Sequence, residues 1–228
     1  DSPQGQVEGS SSVGNTNFMC GGDNVMPVVE LKQHRAKTYP VAEIFTSIQG
    51  EGTFQGHPAN FIRLVGCNLN CPWCDTKNIR EVTPMTEMLT PKQIASRIDA
   101  RIPLTVITGG EPTLHNLEEL SAELHALGSK VAIETNGTKV VPESWNIDWI
   151  TCSPKAPDFA IKCKPNELKY VVDDDFEPGV IQRIVPTGRV YLQVESQKPE
   201  SAKKAIEIAM RDPLLRVGIQ LHKYLEVE

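Results

Sequence analysis

Short apolar runs alternate with helix-forming segments along most of this chain, and that alternation is its strongest structural constraint. Phe61-Ile-Arg-Leu-Val, Leu104-Thr-Val-Ile-Thr and Val190-Tyr-Leu-Gln-Val read as strands, as do 130–134, 149–152, 168–172 and 216–220. Between them, Thr90 followed by Pro91 is a cap with proline at the first helical position, opening a helix over 92–99. Leu117, Leu120, Leu124 and Leu127 fall on one helical face of 116–127, which stops at Gly128. A further helix is expected over 201–211. Short apolar strands separated by helices indicate parallel β/α units with both sheet faces covered. Residues 39–228 are fewer than the roughly 250 of a complete eight-fold barrel. The expected fold is therefore α/β, an open, partial (β/α)6 barrel of parallel strands, with ligand-binding loops at the C-terminal strand ends. No internal repeat is present.

The first residues follow another rule. The stretch 1–24 is rich in Gly, Ser, Gln and Asn and nearly devoid of bulky apolar side chains, so burial cannot offset its ordering entropy. A flexible, low-complexity arm over 1–36 and a single domain over 37–228 are expected. The chain opens on Asp1, with Met19 and Met26 as candidate starts. Its 23 Lys+Arg against 29 Asp+Glu leave a net charge of −6, which argues against direct nucleic-acid binding. No apolar run approaches the roughly 20 residues of a membrane span, and no basic-then-apolar leader opens the chain. A cytoplasmic location is expected.

Three of the six cysteines stand together in Gly66-Cys67-Asn-Leu-Asn-Cys71-Pro-Trp-Cys74-Asp75-Thr76. Three thiolates at C-x3-C-x2-C spacing suit three irons of a cubane cluster and leave the fourth iron open to a ligand. Zinc is a competing reading, with His57 or His115 as fourth ligand. A redox pair of Cys71 and Cys74 is another, although Cys67 would then be idle. Chance grouping of structural cysteines is the plainest. Thr108-Gly109-Gly110-Glu111-Pro112 follows a strand; its glycines permit close approach of a ligand to the backbone, and Glu111 could accept from an ammonium group. An ordinary strand-to-helix turn uses the same residues.

Taken together, the cysteine loop and the Gly109-Gly110-Glu111-Pro112 turn resemble the radical S-adenosylmethionine (SAM) superfamily. The finer pattern is similar to the 7-carboxy-7-deazaguanine synthase family of queuosine and deazapurine biosynthesis. The shared stretches include Glu43-Ile-Phe-Thr-Ser-Ile-Gln-Gly-Glu-Gly52, Phe61-Ile-Arg-Leu-Val-Gly-Cys-Asn68, Cys71-Pro-Trp-Cys-Asp-Thr76 and Ile107-Thr-Gly-Gly-Glu-Pro112. Ile133-Glu-Thr-Asn-Gly-Thr138, Ser153-Pro-Lys155, Leu192-Gln193 and Leu221-His-Lys-Tyr-Leu225 continue the match to the end of the chain.

The resemblance implies a radical SAM domain that turns 6-carboxy-5,6,7,8-tetrahydropterin into 7-carboxy-7-deazaguanine with loss of ammonia, using a [4Fe–4S] cluster, SAM and Mg2+. It assigns Cys67, Cys71 and Cys74 to the cluster. SAM contacts carry over to Trp73, Cys74 and Asp75, to Gly110, to Ser153, Pro154 and Lys155, and to Gln193, Val194, Glu195 and Ser196. Substrate contacts carry over to Ile48, Gln49 and Gly50, and to Arg63 and Thr108. Arg63 also makes sense by itself: a guanidinium in an apolar strand needs a partner, and its fork suits a carboxylate. Gln49 and Glu51 offer acceptors to the donor-rich pterin edge. His222 would close the pocket; a lone His beside Lys and Tyr is otherwise a surface residue. Thr76 matches the single protein ligand for Mg2+, or else caps a turn. Glu134, at a strand end, is the candidate acid/base group, with binding of the SAM ribose as its alternative. Cys152 and Cys163 are expected to be inert.

The resemblance further implies a reductant protein of flavodoxin or ferredoxin type and a homodimer. Two rival functions share parts of the pattern. A radical SAM activase acting on a protein partner would keep the cysteine and glycine motifs without needing Gln49, Glu51 and Arg63 together. A zinc-stabilised binding module would have no turnover at all.

Overall fold

The computed structural model describes residues 37–155, 160–185 and 187–227; the expected arm over 1–36 lies outside them. Among the described residues one sheet of nine strands organises the chain: β1 (Tyr39–Ile48), β2 (Pro58–Leu64), β3 (Glu87–Leu89), β4 (Leu104–Gly109), β5 (Lys130–Thr135), β6 (Trp149–Cys152), β7 (Glu167–Val172), β8 (Val190–Val194) and β9 (Leu215–Gly218). Their order is β3-β1-β2-β4-β5-β6-β7-β8-β9. From β2 to β9 all pairings are parallel. Only β1, paired to β2 and β3, is antiparallel to its neighbours. The sheet does not close, as expected of a partial barrel. Seven strands run parallel rather than six, and the β1–β3 edge was not legible as a separate unit.

Alternation along each strand decides what faces outward and what faces the concave interior. Ile62 and Leu64 of β2, Ile107 of β4, and Val131 and Ile133 of β5 pack outward with Leu117, Leu120 and Leu124. The last two belong to α2 (Glu118–Ala126), the first helix after the shorter α1 (Pro91–Ala95). Leu168, Tyr170 and Val172 of β7 and Val190, Leu192 and Val194 of β8 pack against Ala205 and Ile208 of α3 (Pro199–Arg211). Inward, Ala59, Phe61, Leu104, Val106, Ala132 and Trp149 form a third cluster with Phe45 and Phe54. This apolar plug fills the lower part of the barrel, so the polar inner positions above it, Arg63, Thr108, Glu134, Lys169 and Gln193, are left at the strand ends.

The expected helices appear with shifted ends. Thr90 caps α1 through a reciprocal pair of bonds with Gln93, but the helix ends at Ala95. In α2 the start moves to Glu118 because Asn116 Oδ1 accepts the Glu118 N–H at 3.0 Å. The expected alternation of strands with helices is only partly met. The β5–β6 and β7–β8 connections carry 3-10 turns, Glu143–Trp145 and Pro178–Val180, in place of α-helices. Gly137 and Pro142 in one connection, and Pro178 and Gly179 in the other, disfavour longer helices. After β9 the chain turns into α4 (Leu221–Leu225).

Candidate active site

The cysteine loop leaves β2 through a neck closed by two backbone bonds, Gly66 N–H to Ile79 O at 2.8 Å and Cys67 N–H to Arg80 O at 3.0 Å. Its root lies directly on the glycine turn after β4. Gly110 N–H donates to Leu64 O at 3.1 Å and Glu111 N–H to Gly66 O at 2.7 Å. A Cβ on Gly109 would stand 2.0 Å from Leu64 O, and one on Gly110 would stand 2.2 Å from Gly66 O. The glycines are therefore demanded first by backbone at the end of β2 and the root of the cysteine loop, which pass where a bare turn suggested a ligand. Glu111 is likewise consumed internally. Its Oε1 accepts from Thr113 N–H at 3.0 Å and Thr135 Oγ1 at 2.7 Å, and its Oε2 accepts from Asn136 N–H at 2.6 Å. Fully buried, it braces the β4 and β5 strand ends and has no exposed oxygen for an ammonium group.

Above the apolar plug lies a cleft of about 270 Å³. Cys67, Cys71 and Cys74 line one side of it as free, partly buried thiols. Burial pushes the Cys71 thiol up and Cys67 and Cys74 add to this, while nearby Lys155 opposes it. Among the described residues no three His, Cys, Asp or Glu side chains are already grouped as a metal site, so the thiols share a cleft without being preassembled. Neither histidine of the zinc reading lines the cleft with the thiols. His57 is exposed against Phe54 O, and His115 Nε2 lies 2.9 Å from Val65 O. Thr76, at the start of the 3-10 turn Lys77–Ile79, makes no capping bond through its side chain; its Oγ1 lies 3.7 Å from Cys74 Sγ.

Next to the thiols, Trp73 Nε1 donates to Asp173 Oδ2 at 3.0 Å and its ring lies under Lys155 Nζ, 4.7 Å from the centroid. Lys155 Nζ donates to Ser153 Oγ at 2.8 Å. Burial, then the charge of Lys169, lowers the Lys155 pKa from its ordinary value. Asp75, Gly110, Ser153, Lys155, Gln193, Val194, Glu195 and Ser196 all line the cleft; Pro154, buried between two lining residues, does not. Gln193 is nearly fully buried, and among the described residues its Oε1 has no hydrogen-bond partner. Such an orphaned acceptor has room in its bonding for one donor, from a water or from a bound molecule. Ser196 follows with φ of 46° and Gln197 with 62°, two left-handed non-glycine residues in succession.

The opposite side of the cleft is built on the loop after β1. Ile48, Gln49, Gly50 and Glu51 line it, together with Arg63, Thr108 and Glu134. Arg63 Nε donates to Glu43 Oε1 at 2.5 Å while its guanidinium covers the Phe45 ring, so the charge is paired yet still reaches the cleft. Gln49 is committed at both ends: Nε2 donates to Glu134 Oε1 at 3.0 Å and Oε1 accepts from Glu51 N–H at 3.1 Å. Lys169 Nζ, on the inner face of β7, donates to Glu134 Oε2 at 3.0 Å and also to Glu51 Oε2. Gln220 Nε2 donates to Glu51 Oε1 at 2.8 Å. Burial alone would raise the Glu51 pKa, but the charge and hydrogen bond of Lys169, with the Gln220 bond, hold it below the usual carboxylate range. Burial disfavours the Lys169 cation in turn, and Glu134 and Glu51 outweigh it, so its pKa is raised.

His222 reaches this side because Leu221 N–H donates to Gly50 O at 2.9 Å, docking α4 on the loop. A Cβ on Gly50 would stand 2.0 Å from His222 Nδ1, which is why glycine occupies that position. Burial, partly opposed by Glu51, lowers the His222 pKa. His222 is thus a cleft residue and not a surface one. Lys169 and Gln220 escaped the sequence reading. Lys169 was detectable by alternation: Leu168, Tyr170 and Val172 go outward, so Lys169 must go in. Nothing local marks Gln220.

The Radical SAM superfamily model matches residues 61–166. A 7-carboxy-7-deazaguanine synthase from Synechocystis is 36% identical over 197 residues, covering 83% of this chain and 94% of that protein. One from Bacteroides thetaiotaomicron is 37% identical, covering 82% of this chain and 97% of that protein. A crystal structure of QueE from Escherichia coli superposes with a TM-score of 0.66 at 30% identity, covering 81% of this chain and 95% of that one.

Proposed function

The chain belongs to the family of 7-carboxy-7-deazaguanine synthases, and we propose how its own side chains carry the family's ring contraction, in which 6-carboxy-5,6,7,8-tetrahydropterin becomes 7-carboxy-7-deazaguanine and ammonia. The observation that carries this assignment of roles is one cleft with three free thiols on one side and Arg63, Glu51 and Glu134 on the other. Cys67, Cys71 and Cys74 would hold a [4Fe–4S] cluster, being three free thiols that line one cleft. SAM would lie against Trp73, Asp75, Gly110, Ser153 and Lys155, with Gln193, Val194, Glu195 and Ser196 across from them. The unpartnered Gln193 Oε1 supports that place. Pro154 would shape the loop and not touch the ligand. When bound, cluster and SAM would supply the carbon radical that takes a hydrogen atom from the substrate and gives one back after ring contraction, since substrate and product differ by ammonia alone.

The protein's part is positioning, shielding and proton management. Arg63 offers its remaining N–H donors to the substrate carboxylate, in bidentate geometry. Ile48, Gly50 and Thr108 frame the ring, Gln49 and Glu51 receive its donor edge through their remaining lone pairs, and His222 closes the cleft. Glu134 is the proton-transfer group. Thr76 contributes one oxygen to Mg2+, the substrate and water supplying the others that a hard cation needs; a hydroxyl with no capping bond is available for that role.

Several coarser features belong to the same reading. Residues 37–228 form the catalytic domain, a one-electron carrier protein of flavodoxin or ferredoxin type supplies the electron, and two copies pair as a homodimer. The enzyme works in the cytoplasm, where the free thiols of residues 67, 71 and 74 persist. Among the described residues no helix is long and apolar enough to cross a membrane. The test is an anaerobic incubation of reconstituted protein with dithionite, SAM, Mg2+ and the carboxy-tetrahydropterin. Deazaguanine product and 5′-deoxyadenosine should appear together and both vanish in Cys71→Ala. Formation of 5′-deoxyadenosine without deazaguanine would refute the substrate and favour an activase.

A further inference from the structure

Four residues in the cleft close a hydrogen-bonded ring. Gln49 accepts from the Glu51 backbone N–H, Glu51 accepts from Lys169, Lys169 donates to Glu134, and Glu134 accepts from Gln49. Lys169 is the ring's cation and is almost wholly buried, its side chain 7% exposed, while Glu51 is 12% and Glu134 25% exposed. The ring therefore presents Glu134 to the cleft and withdraws Lys169 behind it. Among the described residues no other basic side chain hydrogen-bonds either carboxylate.

Donor and acceptor chemistry fixes what such a ring can do. An ammonium has donors only, and the amide end of Gln49 aimed at Glu134 is also a donor. Both oxygens of Glu134 thus receive an N–H, an arrangement that suits a carboxylate and leaves its outer lone pairs for an incoming proton. Two buried carboxylates without Lys169 would repel each other and be left uncompensated. We propose, on the basis of the function assigned above, that Lys169 is a positioning residue: it holds Glu134 as a proton acceptor aimed at the substrate, and so couples substrate activation to ring contraction. In that step a proton passes from substrate to a Glu134 oxygen while its bonding pair stays on the substrate. Glu134 then returns the proton to the departing nitrogen, which regenerates the carboxylate.

A double-mutant cycle on the reconstituted enzyme tests this. Lys169→Met is expected to lower deazaguanine formation about 100-fold, the scale of a lost acid/base contribution, while 5′-deoxyadenosine formation falls less than about threefold. In a Glu134→Gln background the same substitution should cost less than about threefold more, because residues acting as one unit are not additive. Lys169→Arg, which keeps the charge, should restore part of the coupling between the two products. A purely structural role would lower both products in parallel, in proportion to lost cluster and folded protein, and would multiply with Glu134→Gln. Either of these results overturns the proposal. Should Lys169→Met fail to fold, Lys169→Gln, neutral but able to donate to one carboxylate, carries the same cycle with the same criteria. Absence of deazaguanine from the unsubstituted enzyme would refute the assigned function itself; normal turnover with an additive cycle would refute only the role of Lys169.

Discussion

Lys169 Nζ lies 3.0 Å from Glu134 Oε2, joining the inner face of β7 to the end of β5 across β6. Neither residue is close to the other in sequence, and each would be costly to bury alone. Paired, they place a carboxylate at the mouth of a cleft whose far side carries the cysteine loop.

The glycine turn should be intolerant of even one methyl group. In Gly110→Ala the new Cβ meets Gly66 O, a backbone atom that cannot yield without moving the cysteine loop. Overpacking of this kind costs about 1–3 kcal/mol, so a lower denaturant midpoint and less iron and sulfide per chain are expected after reconstitution. Gly179→Ala, with open space around it and an ordinary φ, should match the unsubstituted protein in both measurements.

Thr76→Val keeps shape and removes the hydroxyl. If that hydroxyl is a magnesium ligand worth about 1.4 kcal/mol, half-maximal activation should need about tenfold more Mg2+. Titration of activity with Mg2+ decides this, and an unchanged midpoint would return Thr76 to a structural role.

Glu51 sets a direction for pH. Its folded pKa is lowered, so the unfolded chain binds the proton more readily and the contribution of Glu51 to stability is present above about 4.3 and lost as pH falls through the folded value. The raised pKa of Lys169 has the opposite window, its contribution being full below about 10.4 and lost only as pH rises through its folded value. Urea midpoints measured from pH 7 to pH 3 should fall more steeply for the unsubstituted protein than for Glu51→Gln. Parallel curves would contradict the assignment.

How much of this was legible beforehand follows from what each residue depends on. Strand positions and the Thr90 cap are local, and alternation of Ile62, Arg63 and Leu64 already separates core from cleft. The cysteine and glycine motifs were readable too, but not the reason for the glycines, because close passage of Gly66 and Leu64 backbone past Gly109 and Gly110 is a tertiary fact. Glu111 misled for the same reason: its acceptors are taken by Thr113, Thr135 and Asn136, two of them on another strand end. Gln220 acts 169 residues from Glu51, a separation at which no pattern within one sequence carries information. The thin helical layer was missed because the strand pattern says nothing of how each crossover is made.

The central claim is that this cleft brings a carbon radical to the carboxy-tetrahydropterin and contracts its ring. The most direct measurement uses substrate deuterated at its saturated ring carbons, with mass spectrometry of the 5′-deoxyadenosine and deazaguanine formed anaerobically. Deuterium in the 5′-deoxyadenosine, together with deazaguanine product, is the expected result. Unlabelled 5′-deoxyadenosine, with the pterin recovered intact, would contradict the account.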